Sequence, residues 1–156
     1  MKEIIIYLKG DATSPQGKGH KIIAHICNNR GSWGAGFVMA ISKKWSSPEI
    51  EYRKWIETKT ATLGEIQLIP VEDEIVIVNM IAQDGFVNFL NPVAVRYEAL
   101  KECLNKLVYR IKANDVSVHM PRIGCGIAGG KWELIEPIIK ETLCKNDIQV
   151  YIYDLI

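Results

Sequence analysis

Pro121-Arg122-Ile123-Gly124-Cys125-Gly126-Ile127-Ala128-Gly129-Gly130 lies between two periodic segments. Val116 to Met120 reads as a strand, and Lys131 to Leu143 as a helix with Trp132, Ile135, Ile139 and Leu143 on one face. The stretch is a glycine-rich junction from strand to helix. A second junction of the same kind, Asn28-Asn29-Arg30-Gly31-Ser32-Trp33-Gly34-Ala35-Gly36, follows a strand at Lys21 to Cys27 and opens a helix over Gly34 to Trp45. Glycine permits positive φ and lets the backbone approach a ligand closely. A helix N-terminus offers unbonded N–H groups and a partial positive charge. One such loop reads as well as a tight turn. Two of them, both after strands and both before helices, point to a diphosphate gripped from two sides.

The elements outside the junctions set the fold class. Glu3 to Leu8 reads as a buried first strand ending at Lys9-Gly10-Asp11. Ser47 and Pro48 open a short helix that runs towards Trp55, with Ser47 as cap. Glu65 to Ile69 and Ile75 to Ile81 form paired strands joined by an acidic turn at Val71 to Glu74. The second is apolar on both faces, as a strand inside a covered sheet is. Asn91-Pro92 caps the clearest helix, whose apolar face is Leu100, Cys103, Leu104, Leu107, Val108 and Ile111. Pro137 inside the next helix should kink it or shift its start. Ile148 to Tyr153 is the last strand. Strands alternating with helices predict a three-layer α/β/α sandwich with a mixed, mostly parallel central sheet. The 156 residues suit one domain spanning 1–156. Ligands in such folds bind at the carboxyl ends of the strands, which here marks the loops 10–15, 28–36, 83–91 and 123–130.

Composition narrows the function. Apolar residues make up 48%, charged residues 24%, and the formal net charge is +1. Lys and Arg are interspersed with Asp and Glu, without the basic stripe of a dedicated nucleic-acid binder, so duplex DNA or RNA is not an expected partner. A single nucleotide needs no such stripe, because backbone N–H groups hold one diphosphate. Cys27, Cys103, Cys125 and Cys144 form no C-x-x-C pair. The apolar run Ile4 to Leu8 is too short for a signal-peptide core or a membrane span. A cytoplasmic protein with reduced thiols and no membrane partner is expected.

Gly124, Gly126 and Gly129 match G-x-G-x-x-G, and the following strand ends in Asp154, as in a dinucleotide fingerprint. A dinucleotide fold continues with further parallel strands, whereas this chain ends two residues later, so redox chemistry with a nicotinamide cofactor is not expected. No G-K-[ST] follows either loop, and Lys131 stands where a C-x5-R phosphatase would have arginine. No cofactor and no metal cluster are expected.

These pieces together resemble the macrodomain family over nearly the whole chain. They are Lys9-Gly10-Asp11, His25-Ile26-Cys27-Asn28 leading into Gly31-Ser32-Trp33-Gly34-Ala35-Gly36, Met120-Pro121-Arg122-Ile123-Gly124-Cys125-Gly126, and Tyr153 after the last strand. The Gly-Ser-Trp-Gly-x-Gly stretch looks most like the branch of ADP-ribose-1''-phosphate phosphatases. The Met-Pro-Arg-Ile-Gly-Cys-Gly stretch is shared with terminal ADP-ribose protein glycohydrolases. The resemblance implies ADP-ribose or a derivative as ligand, and ADP-ribosylated proteins as a further partner class. It implies that Asp11, with Ala12 beside it, receives the adenine amino group. It also implies that the backbone of Gly34, Ala35 and Gly36 holds the diphosphate and distal ribose, with Ile123, Gly124, Cys125, Gly126 and Ile127 as opposing donors. Tyr153 would cover the adenine face, and Asn28 would reach the distal ribose or a reacting water.

The chain departs from the glycohydrolase branch where that branch carries its chemistry. Asn79-Met80-Ile81-Ala82-Gln83-Asp84 contains no lysine, and Ala128 occupies the position of an essential aspartate. A Schiff-base lysine has no substitute in Gln or Ala. Hydrolysis of ADP-ribose-1''-phosphate by a positioned water is then the expected activity, with His25, Asn28 and Asp84 as candidate base or water holders. A non-catalytic reader and a de-ADP-ribosylase with another residue set remain the alternatives. His25 sits inside a strand pattern, where a histidine is commonly a satisfied core residue.

Overall fold

The computed structural model describes residues 4–112 and 114–156. Six strands form one sheet in the order β1-β6-β5-β2-β4-β3: β1 Ile5–Lys9, β2 His20–Asn28, β3 Ile66–Glu72, β4 Ile75–Gln83, β5 Val116–Met120 and β6 Gln149–Asp154. All neighbours pair in parallel except β3 with β4. The sheet is mixed and mostly parallel, as read from the sequence.

Period-two alternation along the central strands sends side chains to two separate cores. Ile22 and Ala24 of β2, with Val78, Met80 and Ala82 of β4, pack beneath α3 (Tyr97–Ile111) and α4 (Trp132–Thr142). Ile23, Cys27, Ile77 and Ile81 face the opposite layer, α1 (Phe37–Lys44) and α2 (Ser47–Glu57). Leu100, Leu104 and Leu107 of α3 are fully buried. Burying each such side chain contributes about 1.5–3 kcal/mol. The result is helices on both sheet faces, the three-layer sandwich.

Several boundaries differ from the sequence reading, each for a local reason. The α1 helix begins at Phe37, because Gly36 takes φ 85° and ψ −149° as its N-cap. Ser46, not Ser47, caps α2, and Ser47 is its first residue. Asn91-Pro92 does not start α3, whose cap is Arg96. The Asn91 side-chain amide instead donates to Asp84 O (2.8 Å) and Phe86 O (2.9 Å), folding 84–96 into its own loop. The α4 helix runs without a break across Pro137, which stands on its exposed face while Ile135 and Ile139 are fully buried. Glu3, the expected start of β1, lies outside the described residues. Among the described residues no helix is long and apolar enough to cross a membrane.

Candidate functional site

The two glycine junctions emerge from adjacent parallel strands, β2 and β5, and meet over the sheet. A cleft of about 260 Å³ opens between them. Ala35, Gly36, Phe37 and Val38 form one wall; Ile123, Gly124, Gly126, Ile127 and Ala128 form the other; His25 and Gln83 also contribute to the lining. That volume is below the roughly 300–1,000 Å³ of a site enclosing a whole drug-sized ligand.

The amides decide what it holds. Among the described residues, the N–H groups of Gly34, Ala35, Gly36 and Phe37 have no acceptor, nor do those of Ile123, Gly124, Gly126 and Ile127. The first set includes the start of α1, where the helix leaves its N–H groups unbonded. The second belongs to the turns of the loop itself. Helix α4 starts only at Trp132, and the Lys131 amide before it is bonded to the Tyr97 hydroxyl (3.2 Å). The expected pair of helix N-termini is therefore one helix N-terminus opposite a loop of main-chain amides. Cys125 turns its amide inward to Arg122 O at 3.4 Å and does not line the cleft. Gly34 also lies outside the lining.

The glycines divide into two kinds. At Gly124, φ is +74° and a Cβ would lie 3.0 Å from Ile135 Cδ1. At Gly130 a Cβ would stand 2.5 Å from Gly124 O, the acceptor of its own amide. These shape the loop. Gly126, which lines the cleft, has nothing within 4 Å of a built Cβ, so packing does not require a glycine there.

Around the cleft, side chains hold the loops. Asn28 Oδ1 accepts from the amides of Arg30 (2.8 Å) and Ser32 (3.3 Å) and lies 3.1 Å from the Tyr52 hydroxyl oxygen, and Asn28 Nδ2 donates to Ser32 O. With its oxygen so engaged, Asn28 braces the loop and has no acceptor left for a water proton; one amide N–H remains. The Tyr52 hydroxyl donates to Asn28 O at 2.6 Å and accepts from Gly31 N, a clamp with no sequence signal beyond an aromatic residue on a helix. Trp33 packs edge-on against His25 and donates to Ser42 Oγ. Arg122 forms a two-bond pair with Asp154 and stacks over Tyr7 and Trp132. Asp154 is thereby spent on Arg122 and not held out towards a ribose.

His25 is 2% exposed. Its Nε2 is 2.5 Å from Asn79 Oδ1, and the Asn79 amide donates to Pro48 O and Gln67 Oε1. Asn79 Oδ1 is therefore the acceptor and His25 Nε2 carries the proton. Burial lowers the His25 pKa to about 4, so the ring is neutral near pH 7. Its Nδ1 is then a bare acceptor, buried and without a partner among the described residues.

The remaining expected residues fall elsewhere. Asp84 does not reach the cleft; it lines a neighbouring pocket of about 410 Å³ with Arg30 and Arg96. Its Oδ1 accepts from Asn29 Nδ2 (3.0 Å) and its Oδ2 lies 3.7 Å from Arg96. The Asp11 carboxylate accepts the amide and hydroxyl of Thr13, an Asx turn that keeps this exposed side chain in place. Ala12 is buried and presents only main chain. Tyr153 is 3% exposed: its hydroxyl accepts from Gln16 N (2.8 Å) and contacts His119 Nδ1 (2.7 Å). Its ring is closed to a ligand, because the loop carrying Asp11 folds over it. One tautomer satisfies the whole chain of groups, with Tyr153 donating to Nδ1 and His119 Nε2 donating to Ser117 Oγ.

No protein-family model matches the chain. Among solved structures it is similar to a macrodomain protein from Streptomyces coelicolor: 43% identity, 97% of this chain and 99% of that one covered, TM-score 0.85. The chain belongs to the macrodomain family. Among curated proteins, this macrodomain is 30% identical to mouse Chromodomain-helicase-DNA-binding protein 1-like over 96% of its own length. It spans only 17% of that relative. It is 28% identical to the ADP-ribose 1''-phosphate phosphatase of Lodderomyces elongisporus, covering 95% of this chain and 98% of the yeast protein.

Proposed function

We propose that this macrodomain binds ADP-ribose and hydrolyses ADP-ribose-1''-phosphate to ADP-ribose and phosphate. The observation that carries the reading is that main-chain amides without hydrogen-bond partners among the described residues sit on both walls of a single cleft, at Ala35, Gly36 and Phe37 and at Ile123, Gly124, Gly126 and Ile127. Such amides suit a diphosphate, which brings several acceptor oxygens and negative charge to donors that otherwise lack partners. Strand order supports one direction for the ligand. Asp11 follows β1 at the sheet edge, and the amide loops follow β5 and β2 nearer the centre. In this reading an adenine at Asp11 would put the diphosphate in the cleft and the distal ribose towards the end of β4.

The yeast relative's name supports the phosphatase activity. His25 lines the cleft, but its unpartnered Nδ1 is buried, so a water or a ribose hydroxyl would reach that lone pair only by displacing the side chains packed around the ring. In the hydrolysis, the water oxygen bonds to phosphorus, the bond from phosphorus to the ribose oxygen breaks, and the departing oxygen takes up a proton. Preorganised amides would stabilise the added negative charge. Binding without turnover is the second reading. It is favoured by the engagement of Asn28 Oδ1 and Asp84 and by the burial of His25, which hides its Nδ1 and makes the ring a weak base. Phosphate release from ADP-ribose-1''-phosphate, measured beside the Gly126→Glu variant, separates the two. Release by the native chain and not by the variant supports the enzyme; binding of ADP-ribose with no release supports the reader. Asn28 acts in this scheme through the loop it holds. Cys27, Cys103 and Cys125 carry no disulfide, which supports a reducing compartment such as the cytoplasm.

A further inference from the structure

The loop between β4 and α3 exposes apolar side chains although it is held firmly. Asn88 and Asn91 exchange both main-chain hydrogen bonds (3.1 and 3.0 Å), and Leu90 N is bonded to Asn88 Oδ1. Asn91 Nδ2 and Asn88 Nδ2 both donate to Phe86 O, and the Arg96 guanidinium donates to Asn91 Oδ1 and Val93 O. At its tip Phe89 is 97% exposed and Leu90 89%, with Phe86, Val87 and Val93 also exposed. Clustered exposed apolar groups on a rigid support mark an interaction surface.

Two further observations say what it meets. The loop borders the cleft: Val87 and Val93 lie within 3.5 Å of a Cβ built on Gly129 of the phosphate loop, and the Ala94 and Val95 amides both donate to Ala128 O. Beneath the tip, Arg30 and Arg96 share the 410 Å³ pocket with a single carboxylate, Asp84, leaving the pocket with an excess positive charge. Arg96 is engaged by Asp84 and Asn91, whereas the Arg30 guanidinium has no hydrogen-bonded partner among the described residues. The pocket stands where the β4 loop meets the β2 loop, beyond the end of the cleft assigned to the distal ribose.

We propose that the Phe86–Val93 loop and Arg30 form a docking surface for an acidic polypeptide whose modified residue carries the ADP-roibose held in the cleft. The inference rests on the ADP-ribose reading above. Three of the five exposed members, Val87, Leu90 and Val93, are aliphatic and fit polypeptide side chains better than stacked bases, whereas Phe86 and Phe89 suit either. One excess positive charge suits a carboxylate, not a run of phosphates.

Dissociation constants of the full chain would be measured for free ADP-ribose, an ADP-ribosylated acidic peptide, a matched ADP-ribosylated basic peptide and an ADP-ribosylated oligonucleotide. The acidic peptide is expected to bind at least about tenfold more tightly than free ADP-ribose or the basic peptide. The Phe89→Ser/Leu90→Ser and Arg30→Glu variants should lose that increment while their affinity for free ADP-ribose stays unchanged. Equal affinity for both peptides, an increment untouched by these variants, or tighter binding of the oligonucleotide would overturn the docking surface and leave the cleft assignment standing. Failure to bind free ADP-ribose would overturn both.

Discussion

Gly36 and Ile127 stand opposite one another across the cleft, so close that a Cβ built on Gly36 would meet Ile127 Cδ1 at 3.6 Å. Gly36 can occupy that place because its φ of 85° suits a residue without a side chain.

The division of the glycines predicts opposite outcomes for neighbouring substitutions. Gly124→Ala should cost about 1–3 kcal/mol in stability, since the new methyl meets strained φ and three packed side chains. Gly126→Ala should leave stability near native, and Gly126→Glu should abolish ADP-ribose binding at an unchanged melting temperature. Melting curves and calorimetry of the three variants check this. A Gly126→Ala variant as unstable as Gly124→Ala would show that the loop, and not a ligand, requires both glycines.

Asn28 and Tyr52 form one clamp on the first junction. Asn28→Ala leaves the Arg30 and Ser32 amides without their acceptor and should cost about 2–4 kcal/mol. Tyr52→Phe, which cannot touch a ligand from its fully buried position, should cost less and weaken ADP-ribose binding in the same direction. Denaturant unfolding and ligand titration test both. Lost affinity in Asn28→Ala with none in Tyr52→Phe would mean that Asn28 acts by direct contact.

Two buried histidines give a pH dependence with a defined sign. Burial lowers the His25 and His119 pKa values from 6.5 to about 4. Between those values the unfolded chain binds more protons than the folded one. Their contribution to stability is thus fully present above pH 6.5 and is lost as the pH falls towards 4. Melting temperature against pH should decline through that window, and the ring NMR signals of His25 and His119 should begin to titrate only near its lower end. A ring signal of His25 titrating at its ordinary value would contradict the neutral, Nε2-protonated ring.

Much of the fold was legible because its signals are local. The β5 strand at Val116–Met120 and the apolar face of α3 from Leu100 to Ile111 follow from spacing alone, and the glycine stretches mark where strands yield to helices. The side chains around the site were less legible because long-range partners decide their roles. His25 is set by Asn79, 54 positions away, and Asn28 by Tyr52, 24 away. The resemblance lays Tyr153 over the adenine face, and nothing in its sequence neighbourhood reveals that Gln16 N reaches its hydroxyl across 137 positions. Asn91-Pro92 carries a helix-start pattern, yet Asp84 O and Phe86 O capture its side-chain amide. Asp84 was placed at the correct strand end but one pocket away from the cleft.

The central claim is that main-chain amides of both junctions receive the ligand's diphosphate. Amide NMR of the 15N-labelled chain, titrated with ADP-ribose, tests it most directly. The account predicts the largest shifts at the Ala35, Gly36, Gly126 and Ile127 amides, saturating together with one affinity. Saturation with these four amides unmoved, or with only one junction responding, would contradict it.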